Sequence, residues 1–212
     1  MARAAQAVLC DFDGTIVEGD TMASFVLAQA RRRPLRALAV LLWAIVAALP
    51  WSAGKGQRRI LSVALWLLTV GRGRRQNAAS LREHGRRIAR ATRHRPIPAM
   101  VERLQSHHRR GDEVWIVSGS CPTWIAIALR HHGLPCSRIV GSRLRFFAGG
   151  LIVSERCVGR DKPRLVAAAS ANRAIAWTHA YGNERSDLPM LSLARYRWMV
   201  PADARELALL ED

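Results

Sequence analysis

Several features that define whole classes of proteins are scarce in this sequence or absent from it. The 212 residues include only four cysteines, with neither CxxC pairing nor metal-ligand spacing. This spacing argues against a disulfide framework or a zinc site, so we expect reduced, buried thiols in a cytoplasmic chain. The pairs His107-His108 and His131-His132 are expected to be solvated helix-end residues rather than metal ligands. Residues 1–10 lack the apolar stretch of a signal peptide, so we do not expect export.

Lysine and aromatic residues are also scarce. Only Lys55 and Lys162 are lysines among the 33 basic residues, and aromatic residues make up 6% of the chain. The formal net charge is nevertheless +17, which favours phosphate esters, acidic lipid surfaces or nucleic acid as partners. A nucleic-acid-binding protein with a vestigial fold is therefore one alternative. The low aromatic content and the lack of a recognition motif argue against it, so we expect no specific nucleic-acid partner.

Short apolar runs alternate with helical patterns along the chain. Residues 7–10, 114–117 and 174–181 are typical of buried strands, and each run ends in polar residues or glycine. Strands that alternate with helices predict an α/β fold with a doubly wound parallel sheet. In such sheets ligands bind outside the carboxyl ends of the strands, so the polar residues after these runs are expected to converge on one crevice. Residues 142–157 predict a separate β-hairpin.

Two carboxylates follow the first predicted strand. Asp11 and Asp13 are two residues apart, so one can attack phosphorus while the other moves a proton. Two like charges at this distance raise a pKa unless a cation neutralises them, which implies a hard divalent metal with oxygen ligands. Mg²⁺ fits best, because it binds carboxylates together with substrate phosphate. A DxDG turn with solvated acids is the alternative for this motif alone.

Polar residues also follow the later predicted strands. Ser118 stands at the second strand end, where its hydroxyl and the backbone N–H groups of a helix start can cradle a phosphate. Lys162 opens a helix and suggests that a compact point charge is needed there, since the chain uses arginine almost everywhere else. Asn183 and Asp187 can offer an amide oxygen and a carboxylate to one cation. Each of these residues, taken alone, could equally be an ordinary loop or surface residue.

The order and spacing of these residues resemble the haloacid dehalogenase superfamily. The four matching segments are Asp11-Phe12-Asp13-Gly14-Thr15, Val117-Ser118-Gly119, Lys162, and Gly182-Asn183 through Asp187. The resemblance covers nearly the whole chain, and four motifs in order are jointly very specific. It implies a catalytic core of the Rossmann-like type, with Mg²⁺ as the cofactor.

The resemblance also implies a role for each matching residue. Asp11 would be the nucleophile, and Asp13 would protonate the leaving oxygen and later activate water. Ser118, Gly119 and Lys162 would hold the transferring phosphoryl group, where charge accumulates in the transition state. The implied metal ligands are Asp11, Asp13, Asn183 and Asp187.

Two positions refine this expectation. Asn183 stands where many members of the superfamily have aspartate, and an amide oxygen supplies one negative charge less to the metal. Asp13 separates phosphatases from dehalogenases, because the dehalogenases generally lack the second aspartate. We therefore expect a phosphoric monoester hydrolase, and the effect of Asn183 on metal affinity is left open by the sequence.

The segment between the first two motifs resembles the inserted helical cap of the phosphoserine phosphatase-like branch. We place the catalytic core at residues 1–19 and 97–212 and the cap at residues 20–96. Asp20, nine residues after Asp11, occupies a position where that branch often carries an acid close to the substrate. The oligomeric state is left open by these patterns.

Two apolar runs within the insert suggest contact with a membrane. Residues 37–54 carry no charge, residues 60–71 form a second run, and basic residues bracket both. The second run is too short to cross a bilayer comfortably, so we expect a helical hairpin that dips into one leaflet, with residues 50–59 as its bend or as a loop that returns to the surface. Basic flanks near an anionic surface contribute on the order of 1 kcal/mol each. Two core helices of a soluble cap are the alternative.

These features together predict a phosphatase that acts on a membrane lipid phosphate at the cytoplasmic face of the cell membrane. The insert resembles that of the phosphatidylglycerophosphatase C family in residues 31–35 and in its apolar runs, and residues 157–159 and 197–200 add to the likeness. The implied substrate is phosphatidylglycerophosphate, and the implied partner is an anionic membrane surface. The alternative is a soluble, phosphoserine phosphatase-like enzyme with the same chemistry, which acts on a small phosphomonoester.

Overall fold

A six-stranded sheet forms the centre of the fold in the computed structural model, which describes residues 5–47, 56–171, 173–201 and 208–210. Its strands are β1 Ala5–Cys10, β2 Glu113–Ser118, β3 Arg138–Gly141, β6 Ile175–Gly182, β7 Tyr196–Met199 and β8 Ala208–Leu209. They lie in the order β3-β2-β1-β6-β7-β8, and only the pair β7–β8 is antiparallel among these described strands. The predicted α/β fold is confirmed, with one short antiparallel edge strand in addition. The expected separate hairpin is formed by β4 Arg143–Phe147 and β5 Gly150–Glu155.

Helices cover both faces of this sheet. Their bounds are α1 Thr21–Arg32, α2 Pro34–Ala47, α3 Gly56–Thr69, α4 Arg74–Arg90, α5 Pro98–Arg109, α6 Pro122–His131, α7 Asp161–Ser170 and α8 Leu188–Leu191. Successive residues of a strand point to opposite faces. Val8 packs in one buried cluster with Leu104 of α5, whereas Leu9 packs in a second cluster with Leu165 of α7. Because both faces are covered, the central stretches of β1 and β2, residues 7–10 and 114–117, are apolar throughout instead of alternating.

The helices α1 to α4 are inserted between β1 and β2 and pack on the rest of the fold. At Gly85 in α4, a Cβ atom would lie 2.8 Å from Ile127 Cδ1 and 3.0 Å from Trp124 Cα, so only glycine permits the close approach of α4 to α6. His84 Nε2 lies 3.1 Å from the carbonyl oxygen of Thr21, which joins α4 to the start of α1. A helical insert therefore occupies the expected place, and its boundaries at residues 20 and 96 remain an interpretation.

The second apolar run of the insert forms α3, and this helix is part of the core. Leu65 and Leu68 are fully buried, and the helix packs against β5. Trp66 donates its indole N–H to the carbonyl oxygen of Ala148 at 3.1 Å, and Leu151 N donates to Thr69 Oγ1 at 2.7 Å. The expectation that this run inserts into a leaflet is therefore wrong, because its apolar side chains already cover the hairpin β4–β5. Residues 56–59 belong to α3 as well and not to a bend.

The first apolar run forms α2, whose apolar side chains are exposed. Leu35, Leu38, Leu41, Leu42 and Ile45 have between 53% and 84% of their surface accessible. Residues 48–55, which include most of the expected bend, lie outside the described residues. Among the helices that the structure describes, none is both long and apolar enough to cross a membrane.

Candidate active site

Asp11 lies directly after β1 and is paired with a buried lysine. Its backbone N–H donates to the carbonyl oxygen of Tyr181 at 2.9 Å, which fixes it beside the end of β6. Lys162, in the first turn of α7, places its Nζ 2.6 Å from Asp11 Oδ1 and 2.6 Å from Asp187 Oδ1. All three side chains are at most 7% exposed. The ammonium therefore bridges two carboxylates that come from distant parts of the sequence.

Burial and charge act in opposite directions on this trio. Burial raises the pKa of Asp11, Lys162 lowers it and Asp187 raises it again, which leaves the pKa of Asp11 at about 7. Burial lowers the pKa of Lys162, but the two carboxylates outweigh it and hold its pKa above the ordinary value. Lys162 is therefore a permanent cation next to Asp11. Such a charge can stabilise negative charge that develops on a phosphoryl group at Asp11.

Asp13 is held by the start of α1 and by the loop after β2. Its Oδ1 accepts from the backbone N–H of Thr21 at 2.9 Å, and its Oδ2 accepts from the hydroxyl of Ser120 at 2.5 Å. The hydroxyls of Thr21 and Ser120 lie 2.6 Å apart and close the network. Burial raises the pKa of Asp13, while these hydrogen bonds lower it. The sequence reasoning missed Ser120, although it is the second serine of the Ser118-Gly119-Ser120 turn.

Ser118 and Gly119 lie at the carboxyl end of β2, which neighbours β1 in the sheet. The Ser118 side chain is fully buried, and its hydroxyl accepts from Ser120 N at 3.1 Å. The helix α6 begins a few residues later at Pro122. The carboxyl ends of β1, β2 and β6 thus bring together the residues that were predicted to converge, namely Asp11, Asp13, Ser118, Gly119, Lys162, Asn183 and Asp187.

One side-chain oxygen of Asp11 and one of Asn183 both lie within hydrogen-bond distance of the Thr15 hydroxyl. Thr15 Oγ1 lies 3.4 Å from Asp11 Oδ2 and 3.2 Å from Asn183 Oδ1. A Cβ atom at Gly14 would lie 2.2 Å from Asn183 Nδ2, and Gly14 has a φ of +72°, so glycine is required for Asn183 to reach this position. Asp187 uses its second oxygen to accept from Asn183 N at 3.1 Å. This contact fixes the loop that carries Asn183.

This donor set fits Mg²⁺. The available donors are hard oxygen atoms, and Mg²⁺ is commonly held by one or two carboxylates plus water and substrate phosphate. The described residues form no group of three or more His, Cys, Asp or Glu side chains that would enclose a metal ion. Asp13 and Asp187 use their carboxylate oxygens in the hydrogen bonds described above.

Asp20 caps a helix at the edge of this site. Its Oδ1 accepts from Ala23 N at 2.8 Å, which is the N-cap arrangement of α1. The side chain is exposed, and its charge contributes to the raised pKa of Asp13. Asp20 is therefore near the acid of the site, and contact with a substrate stays a prediction.

Outside this site, the structure corrects two expectations that were drawn from the residue pattern. His107 is not solvated, because it is 1% exposed. Its Nδ1 lies 2.8 Å from Asp112 Oδ2, and its Nε2 lies 2.8 Å from the Tyr181 hydroxyl. The four cysteines carry free thiols as expected, but Cys136 is exposed rather than buried. A spacing pattern alone could not reveal either result, because the packing partners come from other elements.

The fold and this arrangement of side chains define a member of a known hydrolase family. Residues 8–192 match the family model described as haloacid dehalogenase-like hydrolase. The match covers most of the chain, including the end of β1 and all of β2 and β6. The chain belongs to the haloacid dehalogenase-like hydrolase family.

Similar solved structures support the same assignment. A protein of unknown function from Bordetella pertussis Tohama I has a TM-score of 0.69 at 17% identity, over 92% of this chain and 89% of that chain. A substrate-bound phosphoserine phosphatase has a TM-score of 0.57 at 17% identity, over 93% and 86%. A phospho-aspartyl intermediate analogue of phosphoserine phosphatase has a TM-score of 0.59 at 18% identity, over 92% and 86%. The predicted superfamily and its phosphoserine phosphatase-like fold are confirmed. The predicted enzyme class, a phosphoric monoester hydrolase, agrees with the family and with the fold.

Proposed function

We propose that this protein is a Mg²⁺-dependent phosphatase that forms an aspartyl phosphate at Asp11. The observation that carries the proposal is the position of Lys162 Nζ, 2.6 Å from Asp11 and 2.6 Å from Asp187 in a buried site. A second carboxylate, Asp13, is held separately by Ser120 and is available for proton transfer. A nucleophile, a fixed cation and an acid are the groups that phosphoryl transfer through an enzyme carboxylate requires.

The proposed reaction has two steps. In the first, a carboxylate oxygen of Asp11 attacks phosphorus, the bond from phosphorus to the leaving oxygen breaks, and Asp13 donates a proton to that oxygen. In the second, Asp13 takes a proton from water, the water oxygen attacks phosphorus, and the bond to Asp11 breaks. Inorganic phosphate and the unmodified Asp11 result. Lys162, Ser118 and the backbone at Gly119 bind the phosphoryl oxygens in both steps.

Asp11 and Asn183 are the proposed direct protein ligands of Mg²⁺, since their oxygens face the same hydroxyl of Thr15. When bound, Mg²⁺ supplies positive charge that stabilises the phosphoryl oxygens in the transition state. Asp187 orients Lys162 and the loop at Asn183, and Asp13 and Asp187 stay predicted ligands of the ion. The neutral amide of Asn183 leaves the site with one negative charge less than an aspartate would supply.

The proposed substrate is a membrane lipid phosphate such as phosphatidylglycerophosphate, at the cytoplasmic face of the cell membrane. The exposed apolar residues of α2 support this choice, because a row of leucines on a solvent-facing helix favours binding to an apolar phase. The exposed Arg31 precedes α2 and favours an anionic lipid surface. The residue likeness of the insert to the phosphatidylglycerophosphatase C family points the same way.

A small soluble phosphomonoester is the second candidate. It is favoured by the packing of α3 in the core and by the similarity in fold to phosphoserine phosphatases, one of which is a substrate complex. Asp20, which lies at the edge of the site, would then contact the polar part of the substrate. Both candidates use the same chemistry at Asp11.

One phosphate-release experiment addresses both the chemistry and the substrate. Purified protein is assayed with phosphatidylglycerophosphate, phosphatidic acid, lysophosphatidic acid and phosphoserine, each with Mg²⁺ and with EDTA. We expect hydrolysis only with Mg²⁺, and the highest kcat/KM with phosphatidylglycerophosphate. Asp11→Asn is expected to abolish turnover of every ester, whereas Asp161→Asn, an exposed carboxylate at the start of α7, serves as the matched control and should keep it.

The outcomes separate the parts of the proposal. Turnover that persists in Asp11→Asn would refute the covalent mechanism. A preference for phosphoserine over every lipid would leave the mechanism intact and select the second candidate. Binding of beryllofluoride at Asp11 in the presence of Mg²⁺ provides an independent measurement of the aspartyl-phosphate state.

A further inference from the structure

A second cleft lies on the molecule, away from the candidate active site. It has a volume of about 650 Å³ and is lined by Gln6 and Ala176, near the starts of β1 and β6. Asp11 and Asn183 follow the opposite, carboxyl ends of these strands. Tyr181 also lines the cleft with its side chain, whose hydroxyl lies 2.8 Å from His107 Nε2, whereas its backbone carbonyl accepts from Asp11 N. None of the residues that line the cleft is one of the candidate catalytic or metal-binding residues, so the two sites use different side chains. A volume of this size is typical of pockets that hold small molecules.

One face of α5 supplies the polar wall of this cleft. Arg103, Ser106 and His107 of α5 line it at the i, i+3, i+4 spacing of one helix face, and Arg110, the C-cap residue of α5, continues this wall. The opposite wall includes His179 of β6, whose ring lies 4.8 Å from that of His107. The helix and the strand therefore direct cationic and N–H-bearing side chains into the same space.

Positive charge exceeds negative charge in the cleft. Three arginines line it, Arg103, Arg110 and Arg195, and Asp112 is the one carboxylate among the lining residues. Asp112 is already engaged, because its Oδ2 lies 2.8 Å from His107 Nδ1 and 3.4 Å from Arg110 Nη2. One carboxylate shared in this way cannot neutralise three guanidinium groups. The cleft therefore attracts anions.

Two of the three arginines have no carboxylate partner within the part of the chain that the structure describes. Neither Arg103 nor Arg195 takes part in the salt bridges that the described residues form. The guanidinium carbon of Arg103 lies 5.3 Å from the centre of the Trp198 ring. The guanidinium carbon of Arg195 lies 5.3 Å from the centre of the Tyr196 ring. Stacking on a ring fixes the plane of the guanidinium group and leaves its N–H groups available to an anion.

A buried nitrogen also lacks a partner in this cleft. Nδ1 of His179 is buried and forms no hydrogen bond with any residue in the described ranges. Burial, His107 and Arg110 hold the pKa of His179 at about 4, so its ring is neutral at physiological pH. A neutral imidazole can still donate one N–H to a ligand, and an unsatisfied buried nitrogen is costly unless something binds it.

We propose that this cleft binds a small molecule that carries a phosphate group. Three guanidinium groups suit a tetrahedral dianion, because its several oxygens can accept from more than one arginine at once. A single carboxylate is satisfied by one arginine fork and would leave the others unused. The rings of Trp177 and Tyr196 line the same cleft and provide a surface for the organic part of the ligand.

Phenylphosphonate is a suitable probe, because it cannot be hydrolysed as a phosphate ester and carries a ring. It is titrated into ¹⁵N-histidine-labelled full-length protein in EDTA, and the ring resonances of His107 and His179 are followed by NMR. The His179→Gln spectrum assigns the His179 signals. We expect saturable shifts of these resonances, and weaker shifts with benzoate at equal concentration.

Two double variants separate a built site from general attraction to a basic protein. Arg103→Gln with Arg195→Gln removes two lining arginines, whereas Arg109→Gln with Arg130→Gln removes the same charge from exposed positions outside the cleft. We expect the first pair to weaken binding at least tenfold and the second pair to change it less than twofold. Equal losses in the two variants, absence of saturable shifts, or tighter binding of benzoate would each overturn the proposal. None of these outcomes depends on phosphatase activity.

Discussion

At Lys162, the size and shape of the cationic group decide whether the side chain fits the site. In a chain that otherwise uses arginine almost everywhere, this position holds a lysine that is 3% exposed and equidistant from two carboxylate oxygens. An ammonium group fits between Asp11 and Asp187 as a compact point charge. A guanidinium group is larger, planar and directional, so it cannot replace the ammonium without moving at least one carboxylate.

We therefore expect Lys162→Arg to lower kcat/KM at least roughly tenfold, which corresponds to about 1.4 kcal/mol of transition-state stabilisation. Steady-state phosphate release measures the effect, and urea unfolding verifies that the variant is folded. Arg164→Lys is the matched control, because it makes the reverse exchange at an exposed position of the same helix. A kcat/KM close to that of the wild type would show that Lys162 does not contact the transferring group.

Asn183 illustrates a functional position whose geometry depends on a distant glycine. Its side chain reaches the site only because Gly14 has no Cβ atom. The sequence places both residues within recognisable motifs, but it does not show that they touch. The contact follows from the neighbouring positions of β1 and β6 in the sheet.

At the scale of elements, α2 is the more apolar in sequence of the two helices α2 and α3, yet it is the more exposed of the two. Leu65 and Leu68 of α3 are fully buried, whereas Leu38, Leu42 and Ile45 of α2 are more than half exposed. The three α2 residues follow the i, i+4, i+7 spacing and share one helix face. Any contact of these two helices with a membrane is therefore expected through α2 and not through α3.

We expect the triple substitution Leu38→Asp, Leu42→Asp and Ile45→Asp to release the protein from anionic liposomes. Each charge placed in hydrocarbon costs about 2.5–3.5 kcal/mol, while the folded protein tolerates charges at exposed positions. Cosedimentation with phosphatidylglycerol-containing vesicles measures binding. Hydrolysis of a small soluble phosphate ester should be retained.

A second triple variant controls for the change in charge. Phe147, Leu193 and Leu209 are exposed apolar residues outside α2, and their replacement by Asp alters the net charge by the same amount. This control should still bind vesicles. Equal cosedimentation of the wild type and the α2 variant would refute membrane binding through α2 and favour the small soluble substrate.

At the scale of the whole molecule, stability is coupled to buried histidines. Burial lowers the pKa of His84 to about 4, although its contact with the Thr21 carbonyl opposes this shift. His94, Arg87 and Arg93 lower the pKa further by repulsion. The unfolded chain therefore binds more protons than the folded chain between about pH 4 and pH 6.5, and stability falls as the pH decreases through this range.

We expect this loss to amount to on the order of 2 kcal/mol at pH 5 for His84. The raised pKa of Asp11 acts with the opposite sign, because its folded state binds the extra proton, so the total slope does not isolate the histidine. The difference between the wild type and His84→Gln in urea unfolding at pH 7, 6 and 5 does isolate it. Parallel pH profiles of the two proteins would contradict the assignment.

The sequence by itself determined where the central strands end and which polar residues follow them. Apolar runs of strand length that end in Asp11, Ser118 and Gly182 predict a parallel sheet with its site at the carboxyl ends, because backbone geometry leaves few other arrangements. The residue types at those ends also determined the candidate site. These features are local in sequence, so local patterns suffice to predict them.

Only the tertiary structure decided which apolar helix is buried, and which polar groups meet. Composition alone would favour burial of the more apolar α2, but α3 is the buried helix, because burial depends on whether a partner such as β5 is present. The pairing of Ser120 with Asp13 and of His107 with Tyr181 joins residues more than 70 positions apart. Such contacts are set by the packing of whole elements, and a single sequence carries no local signal for them.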